Sequence, residues 1–435
     1  MVFSEGHEAS ISDFFSVFFG ISAIILGLLE LSDIFHTMSL FSNVELAPRD
    51  PILGLNEAFN ADSRPTKVNL GVGVYFTDDG KIPLLRAVQA AEKIMMEKSA
   101  ARGYLAIEGI AAYNQGVQNL LFGKESAILA SGRVVTAQGV GGTGALKIGA
   151  DFIKRLEPNA VVAISDPSWE NHRGIFENAG FPVQSYAYYD PETRGVNFTG
   201  MVKSLEALPA KSVVLLHACC HNPTGADMSL DQWKQIVQIC KAKQLIPFLD
   251  MAYQGFADNI DQDGAAVRLF ADSGLSFFVS SSFSKSFSLY GERVGALSIV
   301  TESKDESTRV MSQLKRVIRT NYSNPAIHGG TVVATVLNTP ELRAMWEQEL
   351  AEMRDRIKLM RNSLVAKLAQ AGAKRDFDFV NDQRGMFSYS GLSSEQVDRL
   401  REEYGIYAVS TGRICVAALN SKNIDGVAKA IASVL

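Results

Sequence analysis

The sequence has few cysteines and no excess of basic residues, and each shortage argues against a class of protein. It contains four cysteines in 435 residues and no CxxC spacing, so a disulfide framework is not indicated. We expect the cysteines to be reduced, as in the cytoplasm: Cys219, Cys220, Cys240 and Cys415. The net charge of -5 argues against nucleic-acid binding, and the 47% of hydrophobic residues indicate a globular protein with a large core.

The first 37 residues lack basic charge, since no lysine or arginine occurs before Arg49. Residues 14–31 are nearly all apolar, which is long enough for one membrane span. A secretory signal would begin with basic residues, and a membrane span usually has basic flanks. We favour a hydrophobic leader over residues 1–37, outside the folded protein and arising from upstream translation, with Met38 as the natural start. A membrane anchor or a packed arm is the alternative.

Two short polar runs invite a metal interpretation but lack the spacing for it. The run from His217 to His221 holds four potential ligands within five residues, which is too tight for a usual tetrahedral zinc site. The run from Asp261 to Gly264 resembles part of a calcium loop without the remaining ligands. We therefore expect a strand end and a solvated acidic turn, and predict no metal site.

From Val161 onward, short apolar runs alternate with helical patterns, which is typical of a parallel α/β sheet. One amphipathic helix is predicted over Leu230–Lys243, where Ser229 and Gln232 have capping-box spacing. The predicted strands of the sheet are Val161–Ser165, Val213–His217, Ile246–Leu249, Phe277–Ser281 and Val294–Val300.

A smaller α/β domain is predicted at the C-terminal end. Its helices are predicted over Pro340–Ala371 and Ser394–Tyr404, and its strands over Ile406–Val409 and Ile414–Leu419. The expected division places an N-terminal arm and part of the smaller domain in residues 38–83, the larger domain in 84–350, and the smaller C-terminal domain in 351–435.

Polar side chains follow four of the predicted strands, at the point where each strand ends. Ligands bind at the carboxyl ends of strands in open α/β sheets, so these side chains are expected to meet in one pocket. Lys285 lies among hydroxyls and is placed to form a Schiff base with an aldehyde cofactor, while Arg293 suits a phosphate. The four strand ends supply Trp169, Asn222, Asp250 with Tyr253, and Ser282 to Lys285.

These residue types suit pyridoxal chemistry. Asp250 can pair with a protonated pyridine nitrogen and keep the ring an electron sink. Asn222 and Tyr253 can hydrogen-bond to the ring hydroxyl oxygen, and Trp169 can stack on the ring.

A glycine run from Gly139 to Gly144 precedes a predicted helix over Ala145–Leu156, an arrangement that favours an anion. The run also matches the GxGxxG dinucleotide pattern, for which Asp166 lies near the required distance. Thr143 supplies a hydroxyl suited to a phosphate. The downstream lysine and arginine favour a compact pyridoxal phosphate over a dinucleotide.

At these residues the chain resembles the aspartate and aromatic amino-acid aminotransferases of pyridoxal-phosphate fold type I, over about Phe41 to Leu435. The fold implied is α/β, with a mostly parallel seven-stranded sheet in a large domain and a smaller α/β domain. The motifs that carry the resemblance are Asn69-Leu-Gly-Val-Gly73, Tyr104-Leu-Ala-Ile-Glu-Gly109, Gly142-Thr-Gly-Ala-Leu146, Trp169-Glu-Asn-His172, Asn222-Pro-Thr-Gly225, Asp250 with Tyr253-Gln-Gly-Phe256, Ser282 to Lys285, Tyr322-Ser-Asn-Pro325, Arg384-Gly-Met-Phe387 and Gly412-Arg413.

The resemblance implies roles for individual residues. Lys285 resembles the Schiff-base lysine that also moves a proton between substrate Cα and cofactor. Arg413 resembles the residue that grips the substrate α-carboxylate with a guanidinium fork. Arg319 resembles a residue that binds a substrate side-chain carboxylate from the neighbouring subunit. Tyr104 resembles a tyrosine that reaches the cofactor phosphate across a homodimer, and His172 resembles a supporting partner of the predicted ring-binding aspartate.

The implied site is therefore composed as follows. The catalytic groups are Lys285, Asp250 and Tyr253. The cofactor contacts are Gly142, Thr143, Trp169, Asn222, Asp250, Tyr253, Ser282, Ser284, Lys285, Arg293 and Tyr104. The substrate contacts are Gly73, Trp169, Asn222, Arg319, Arg413 and Phe387.

Three positions depart from commoner family patterns. Ala106 and Ala326 stand where proline is frequent, and Gly141 stands where some members have a phosphate-binding serine. No catalytic group is lost by these changes. The three differences concern the expected contacts to the cofactor phosphate and the expected interface loop.

Three further motifs resemble the bacterial aromatic branch, which accepts phenylalanine, tyrosine or tryptophan as well as dicarboxylates. They are Asp166-Pro-Ser-Trp-Glu-Asn-His172, Ser286-Phe-Ser-Leu-Tyr-Gly-Glu-Arg293 and Gln383-Arg-Gly-Met-Phe-Ser-Tyr389. The activity implied is ping-pong transamination to 2-oxoglutarate, with a strict aspartate aminotransferase as the alternative. A pyridoxal-dependent lyase or decarboxylase on the same fold, a binding protein and a nicotinamide-dependent dehydrogenase are the other hypotheses.

Overall fold

The computed structural model describes residues 39–47 and 52–435. The chain divides into two compact units, residues 1–49 and 50–435. In the first unit, the described residues are all exposed and turn at residues 40–43. The predicted leader over residues 1–37 and its boundary at Met38 lie outside the described residues.

The second unit alternates strands with helices along most of its length. The strands are β1 (Val68–Asn69), β2 (Val134–Val140), β3 (Val162–Asp166), β4 (Val183–Ala187), β5 (Tyr189–Asp190), β6 (Gly195–Val196), β7 (Val213–His217), β8 (Ile246–Met251), β9 (Phe277–Ser282), β10 (Val294–Val300), β11 (Phe387–Tyr389), β12 (Ile406–Tyr407) and β13 (Arg413–Cys415). The α-helices are Leu53–Ala61, Arg86–Lys98, Ala111–Phe122, Ala127–Ala130, Gly141–Leu156, Glu170–Asn178, Phe198–Glu206, Leu230–Ala242, Ile260–Asp263, Ala265–Asp272, Lys304–Asn321, His328–Asn338, Pro340–Gln370, Phe379–Asp382, Ser394–Tyr404 and Ile424–Val434, and the 3-10 helices are Tyr290–Glu292 and Val416–Ala418.

One sheet of seven strands organises this unit, in the order β2-β10-β9-β8-β7-β3-β4. Strand β10 is antiparallel to both of its neighbours, whereas β9, β8, β7, β3 and β4 run parallel. Helices connect the parallel strands, and apolar side chains are buried in two clusters of core residues. The predicted mostly parallel seven-stranded α/β fold is confirmed.

The predicted strands are present, with small shifts at their ends. Strands β7 and β10 have the predicted bounds, β8 and β9 extend one or two residues further, and β3 is displaced by one residue. Strands β2 and β4 were not predicted from the sequence. Strand β4 has two exposed residues at its centre, and β2 contains threonine, glutamine and glycine, so neither forms a plain apolar run.

Four local predictions were wrong. The strand predicted over Ile406–Val409 ends at Tyr407. The acidic turn predicted to be solvated begins as the short helix Ile260–Asp263, and Asp263 is buried because its carboxylate accepts hydrogen bonds from three backbone amides.

The helix predicted over Ala145–Leu156 begins at Gly141, so the glycine run is its first turn rather than a preceding loop. The strand predicted over Ile414–Leu419 is the short strand β13 followed by a 3-10 helix, because β13 pairs with only the three residues of β11. The apolar run over Val416–Ala418 is buried in the core without forming a strand.

The helix Leu230–Ala242 begins as its sequence predicts. The Ser229 hydroxyl accepts a hydrogen bond from the Gln232 amide at 3.2 Å, and the Gln232 side chain accepts from the Ser229 amide at 2.8 Å. The predicted capping box is therefore confirmed.

The C-terminal region contributes to two of the three two-stranded sheets in the described residues, β1-β12 and β11-β13, whereas β5 and β6 pair with each other between β4 and β7. Strand β1 pairs in parallel with β12, so residues near the N-terminal end of the second unit join the C-terminal region. The long helix Pro340–Gln370 packs against the C-terminal helix Ile424–Val434. The expected division at residues 83 and 350 stays a prediction. Among the described residues, no helix is long and apolar enough to cross a membrane.

Candidate active site

A cavity of about 480 Å³ opens at the carboxyl ends of the parallel strands. It collects the predicted site residues except Tyr104 and Arg319. Those that line it are Gly73, Gly142, Thr143, Trp169, Asn222, Asp250, Tyr253, Ser282, Ser284, Lys285, Arg293, Phe387 and Arg413.

Asp250 is a buried carboxylate held from two sides. It lies within β8 rather than after it, with His217 of β7 and Ser280 of β9 opposite it in the sheet. Its Oδ2 lies 2.8 Å from His172 Nε2, and its Oδ1 accepts a 2.8 Å hydrogen bond from Ser280. Burial alone would raise the pKa of Asp250, but the hydrogen bond and charge of His172 hold it below its usual value. The carboxylate is therefore an anion at neutral pH.

His172 is held in turn by Ser168, whose hydroxyl lies 3.0 Å from the Nδ1 atom of the ring. The histidine is fully buried, and Trp169 packs edge-on against it at 5.1 Å between ring centroids. The predicted pairing of His172 with Asp250 is thus present in the structure, and it fixes the orientation of the carboxylate.

Lys285 follows β9 and points its amine into the same cavity. Burial lowers the pKa of Lys285 to about 8, opposed by the charge of Asp250 and assisted by Arg293 and Arg413. Its Nζ lies 4.8 Å from the centroid of the Tyr253 ring. About a tenth of the amine is therefore neutral at pH 7, far more than for a solvated lysine, and the neutral amine is the nucleophile.

A cationic corner is formed by Arg293 and the first turn of the helix Gly141–Leu156. This helix has no side-chain cap and no acidic residue in its first turn, so its N-terminus favours an anion. Arg293 Nη1 donates to the Tyr290 carbonyl at 2.9 Å and lies 3.4 Å from the Ser284 hydroxyl. The Arg293 carbonyl accepts from the Gly141 amide at 2.8 Å, which joins the two parts of the corner.

Arg413 also lines the pocket and is only 1% exposed. Its Nη1 donates to Asn222 Oδ1 at 3.1 Å and its Nη2 to the Gly71 carbonyl at 2.6 Å. Its Nε is buried without a hydrogen-bond partner. Because no carboxylate pairs with Arg413 among the described residues, the guanidinium retains the capacity to bind one.

Aromatic side chains line the wall between the lysine and the arginine. The Phe387 ring lies 4.3 Å from the Arg413 guanidinium and packs edge-on against Tyr253 at 6.0 Å. A Cβ atom at Gly73 would lie 2.7 Å from the tip of the same ring. The lack of a side chain at Gly73 therefore leaves room for the Phe387 ring.

His217 lines the pocket but was not predicted as a site residue. Both of its ring nitrogens are buried without a partner, and its ring lies 4.9 Å from His172. Burial lowers the pKa of His217 to about 3, so the ring is neutral. The sequence signal was its place at the end of a predicted strand, which was interpreted only as core.

Tyr104 and Arg319 do not reach this pocket. Tyr104 is 96% exposed, and Arg319 lies beside a separate cavity of about 310 Å³ and donates to the Ser323 hydroxyl. The sequence assigned both residues to the active site of a neighbouring subunit, so their distance from the pocket of their own chain is compatible with that assignment. Their roles stay predictions.

The seven-stranded sheet and the pocket at its edge are those of the α/β transferases of fold type I, the class that the sequence resembles. Residues 65–431 match aminotransferase class I and II, and the chain belongs to this family. The resemblance is therefore confirmed, and the chain is a transaminase.

Three relatives illustrate the match. An aspartate aminotransferase of Pseudomonas aeruginosa is 72% identical over 398 residues, which are 92% of this chain and 100% of the relative. An aromatic-amino-acid aminotransferase of Escherichia coli (strain K12) is 51% identical over 91% of this chain and 100% of its own length. The crystal structure of an aromatic-amino-acid aminotransferase from Burkholderia pseudomallei, covalently bound to pyridoxal phosphate, is 70% identical with a TM-score of 0.90, covering 92% of this chain and 100% of that one.

Proposed function

We propose that this chain uses pyridoxal 5'-phosphate to move the amino group of phenylalanine, tyrosine, tryptophan and aspartate to 2-oxoglutarate. The observation that carries the proposal is one pocket in which a lysine with a lowered pKa, a buried aspartate and a buried arginine meet. Similarity to relatives named for aspartate and for aromatic amino acids supports both substrate classes.

The residues present fit the cofactor. The cationic corner at Arg293 suits its phosphate, Lys285 suits its aldehyde and Asp250 suits its ring nitrogen. Trp169 and Asn222 line the same cavity and suit the ring face and the ring hydroxyl oxygen.

Bound pyridoxal phosphate supplies an electron sink for the negative charge that develops at the substrate Cα. Asp250 would hold a proton on the ring nitrogen by ion pairing, which would keep the ring electron-poor. With the cofactor bound, Lys285 would accept the proton from the substrate Cα and return it on the cofactor side, as the neutral fraction of its amine permits. Arg413 fixes the α-carboxylate and thereby the direction of the Cα–H bond.

Ping-pong turnover follows from a single pocket that serves both half-reactions. The amino acid leaves as a 2-oxo acid while the enzyme keeps the amino group, and 2-oxoglutarate then takes it. Arg413 can bind the α-carboxylate of either substrate, because both carry that group.

The side chain of the substrate can be a ring or a carboxylate. Trp169, Tyr253 and Phe387 offer aromatic surface to a ring. We propose that Arg319 of a neighbouring subunit pairs with a dicarboxylate and swings away for a ring. The alternative, a strict aspartate aminotransferase, is supported by the name of the relative that is 72% identical.

We further propose a homodimer with shared active sites in the cytoplasm. The exposure of Tyr104 and the separate location of Arg319 support a site completed by a second copy. Four buried free cysteines support a reducing compartment.

The test is a single-turnover measurement with phenylalanine and then aspartate, following the visible absorbance of the lysine-bound cofactor. Loss of the band with both, at comparable rates, would support dual specificity. Loss of the band with aspartate alone would indicate a strict aspartate aminotransferase. Release of carbon dioxide or an elimination product in place of a 2-oxo acid would indicate a decarboxylase or lyase, and no band after adding cofactor would refute the pyridoxal proposal.

A further inference from the structure

Arg361, in the helix Pro340–Gln370, is a buried cation without an acidic partner. Its exposed fraction is 3%, and within the described part of the chain it forms no ion pair. Burial lowers the pKa of Arg361 to about 10, so the guanidinium stays charged at neutral pH. A buried charge is costly unless hydrogen bonds compensate for lost hydration. The partners of those hydrogen bonds therefore indicate the structural role of the guanidinium.

The partners of Arg361 are three backbone carbonyls of one segment. Its Nη1 donates to the Val380 carbonyl at 3.1 Å, and its Nη2 donates to the carbonyls of Gly385 and Phe387 at 2.8 and 2.5 Å. Between these carbonyls, residues 383–386 belong to neither a helix nor a strand. Arg361 thus fixes a segment with little regular structure that leads directly to the Phe387 wall of the pocket.

Asp227 restrains a second segment with the opposite charge, because its carboxylate accepts hydrogen bonds from two backbone amides. Its Oδ2 accepts from the Cys220 amide at 2.7 Å and its Oδ1 from the His221 amide at 2.8 Å. Cys220 has a φ of 51°, a left-handed conformation that a non-glycine residue keeps only under such restraint. The fixed amides come directly before Asn222.

The two segments are joined to each other behind the pocket. The Arg384 amide donates to the Gly225 carbonyl at 2.7 Å. A Cβ atom at Gly385 would lie 2.5 Å from Cys220 Cβ, which shows how closely the two backbones approach. Both segments also reach Arg413, through the 3.1 Å hydrogen bond of Asn222 and the 4.3 Å contact of the Phe387 ring.

We propose that Arg361 and Asp227 are a pair of positioning residues that set the orientation of the Arg413 guanidinium. Neither lines the cavity, so both act through the backbone of the segments that hold Asn222 and Phe387. A substrate carboxylate accepts two parallel hydrogen bonds from a guanidinium. A small rotation of Arg413 misaligns them and weakens binding of the carboxylate. The inference rests on the proposed role of Arg413 in binding the α-carboxylate.

The test measures carboxylate binding and cofactor binding separately in the cofactor-loaded enzyme. The variants are Arg361→Met, Arg361→Lys and Asp227→Asn, and the probe is 3-phenylpropionate, which offers a carboxylate and a ring. We expect Arg361→Met and Asp227→Asn to weaken the Kd for 3-phenylpropionate about tenfold or more. KM for phenylalanine should rise in parallel, while the Kd for the cofactor changes less than about twofold.

Arg361→Lys should give an intermediate loss, because an ammonium cannot reproduce the planar fork. The matched control is Arg133→Met, since Arg133 also donates to a backbone carbonyl, that of Thr301 at 2.6 Å, and does not line the pocket. This control should leave the Kd for 3-phenylpropionate unchanged. If Arg361→Met does not fold, the lysine and Asp227→Asn variants decide.

Two outcomes would overturn the inference. One is a folded Arg361 or Asp227 variant with normal affinity for 3-phenylpropionate, and the other is an equal loss of cofactor and 3-phenylpropionate binding. Arg413→Lys separates this failure from that of the proposed function. If Arg413→Lys keeps full affinity, the role of Arg413 is wrong; if it loses affinity while the other variants do not, only the positioning role fails.

Discussion

Gly141 shows how a single residue shapes the cofactor corner. Its φ is +69°, and a Cβ atom there would lie 2.4 Å from Arg293 Nη2. The guanidinium thus occupies the space that a side chain would need. The departure from members with serine at this position therefore has a physical reason, because glycine permits both the backbone conformation and the close approach.

We predict that Gly141→Ala weakens cofactor binding about tenfold, because the new methyl group displaces Arg293 and strains the backbone by about 1–2 kcal/mol. The measurement is the Kd of pyridoxal phosphate for the cofactor-free protein. Gly426→Ala is the control, since its Cβ would meet nothing within 4 Å. Equal affinity in the two variants would contradict this account of the corner.

The pKa of Lys285 predicts a pH dependence for cofactor capture. Because burial lowers the pKa to about 8, the amine is mostly protonated below that pH and mostly neutral above it. The capture rate should rise about tenfold per pH unit below pH 8 and level off above it. Stopped-flow absorbance of the cofactor-free protein from pH 6 to 10 measures this. A midpoint near 10.5 would show a solvated lysine, and Lys285→Arg should form no covalent band.

At the scale of elements, Glu349 of the helix Pro340–Gln370 caps a second helix. Its two carboxylate oxygens accept from the Arg86 amide at 2.7 Å and the Ala87 amide at 3.1 Å, at the start of the helix Arg86–Lys98. That helix has no cap from its own N-cap residue. A long-range contact thus supplies what the local sequence lacks.

We predict that Glu349→Ala lowers the free energy of unfolding by about 1–3 kcal/mol, because two amides at the helix start, one of them buried, lose their acceptor. Thermal and denaturant melting would measure the change. The control on the same helix is Glu347→Ala, which removes only a surface pair with Arg343 and should cost less than about 0.5 kcal/mol. Similar losses in the free energy of unfolding for both variants would show that the Glu349 cap stabilises the fold no more than a surface ion pair does.

At the scale of the whole molecule, the proposed dimer predicts complementation between two chains that are each inactive with aspartate. One chain carries Lys285→Ala and the other Arg319→Ala, and the two are coexpressed and assayed with aspartate. If Arg319 serves the neighbouring site, one of the two sites in each mixed dimer is intact. Random assembly then gives about a quarter of the normal number of aspartate-active sites.

The same mixture distinguishes the alternatives. Two separately purified variants that are mixed without subunit exchange serve as the control and should remain nearly inactive with aspartate. No recovery in the coexpressed, verified mixed dimer would show that Arg319 does not act across an interface. Activity with phenylalanine requires an intact Lys285 but not Arg319, so the Arg319→Ala chain should retain it. This activity serves as the internal reference.

The sequence by itself predicted the sheet class and most of the pocket. Apolar runs define buried strands such as β7, β8 and β9, and the polar residues near their carboxyl ends meet because these parallel strands end at one edge of the sheet. That local logic is sufficient for Lys285, Asp250 and Asn222.

Only the tertiary structure decided what depends on contacts distant in sequence. Three such features leave no periodic signal in the sequence. They are the His217 ring nitrogens without hydrogen-bond partners, the carbonyls bound by Arg361, and the Arg293 guanidinium in the space beside Gly141. The short strand β4, exposed at its centre, is likewise fixed by pairing with β3 rather than by its own residues. Periodicity encodes burial within an element, whereas hydrogen bonds between elements exist only once the chain has packed.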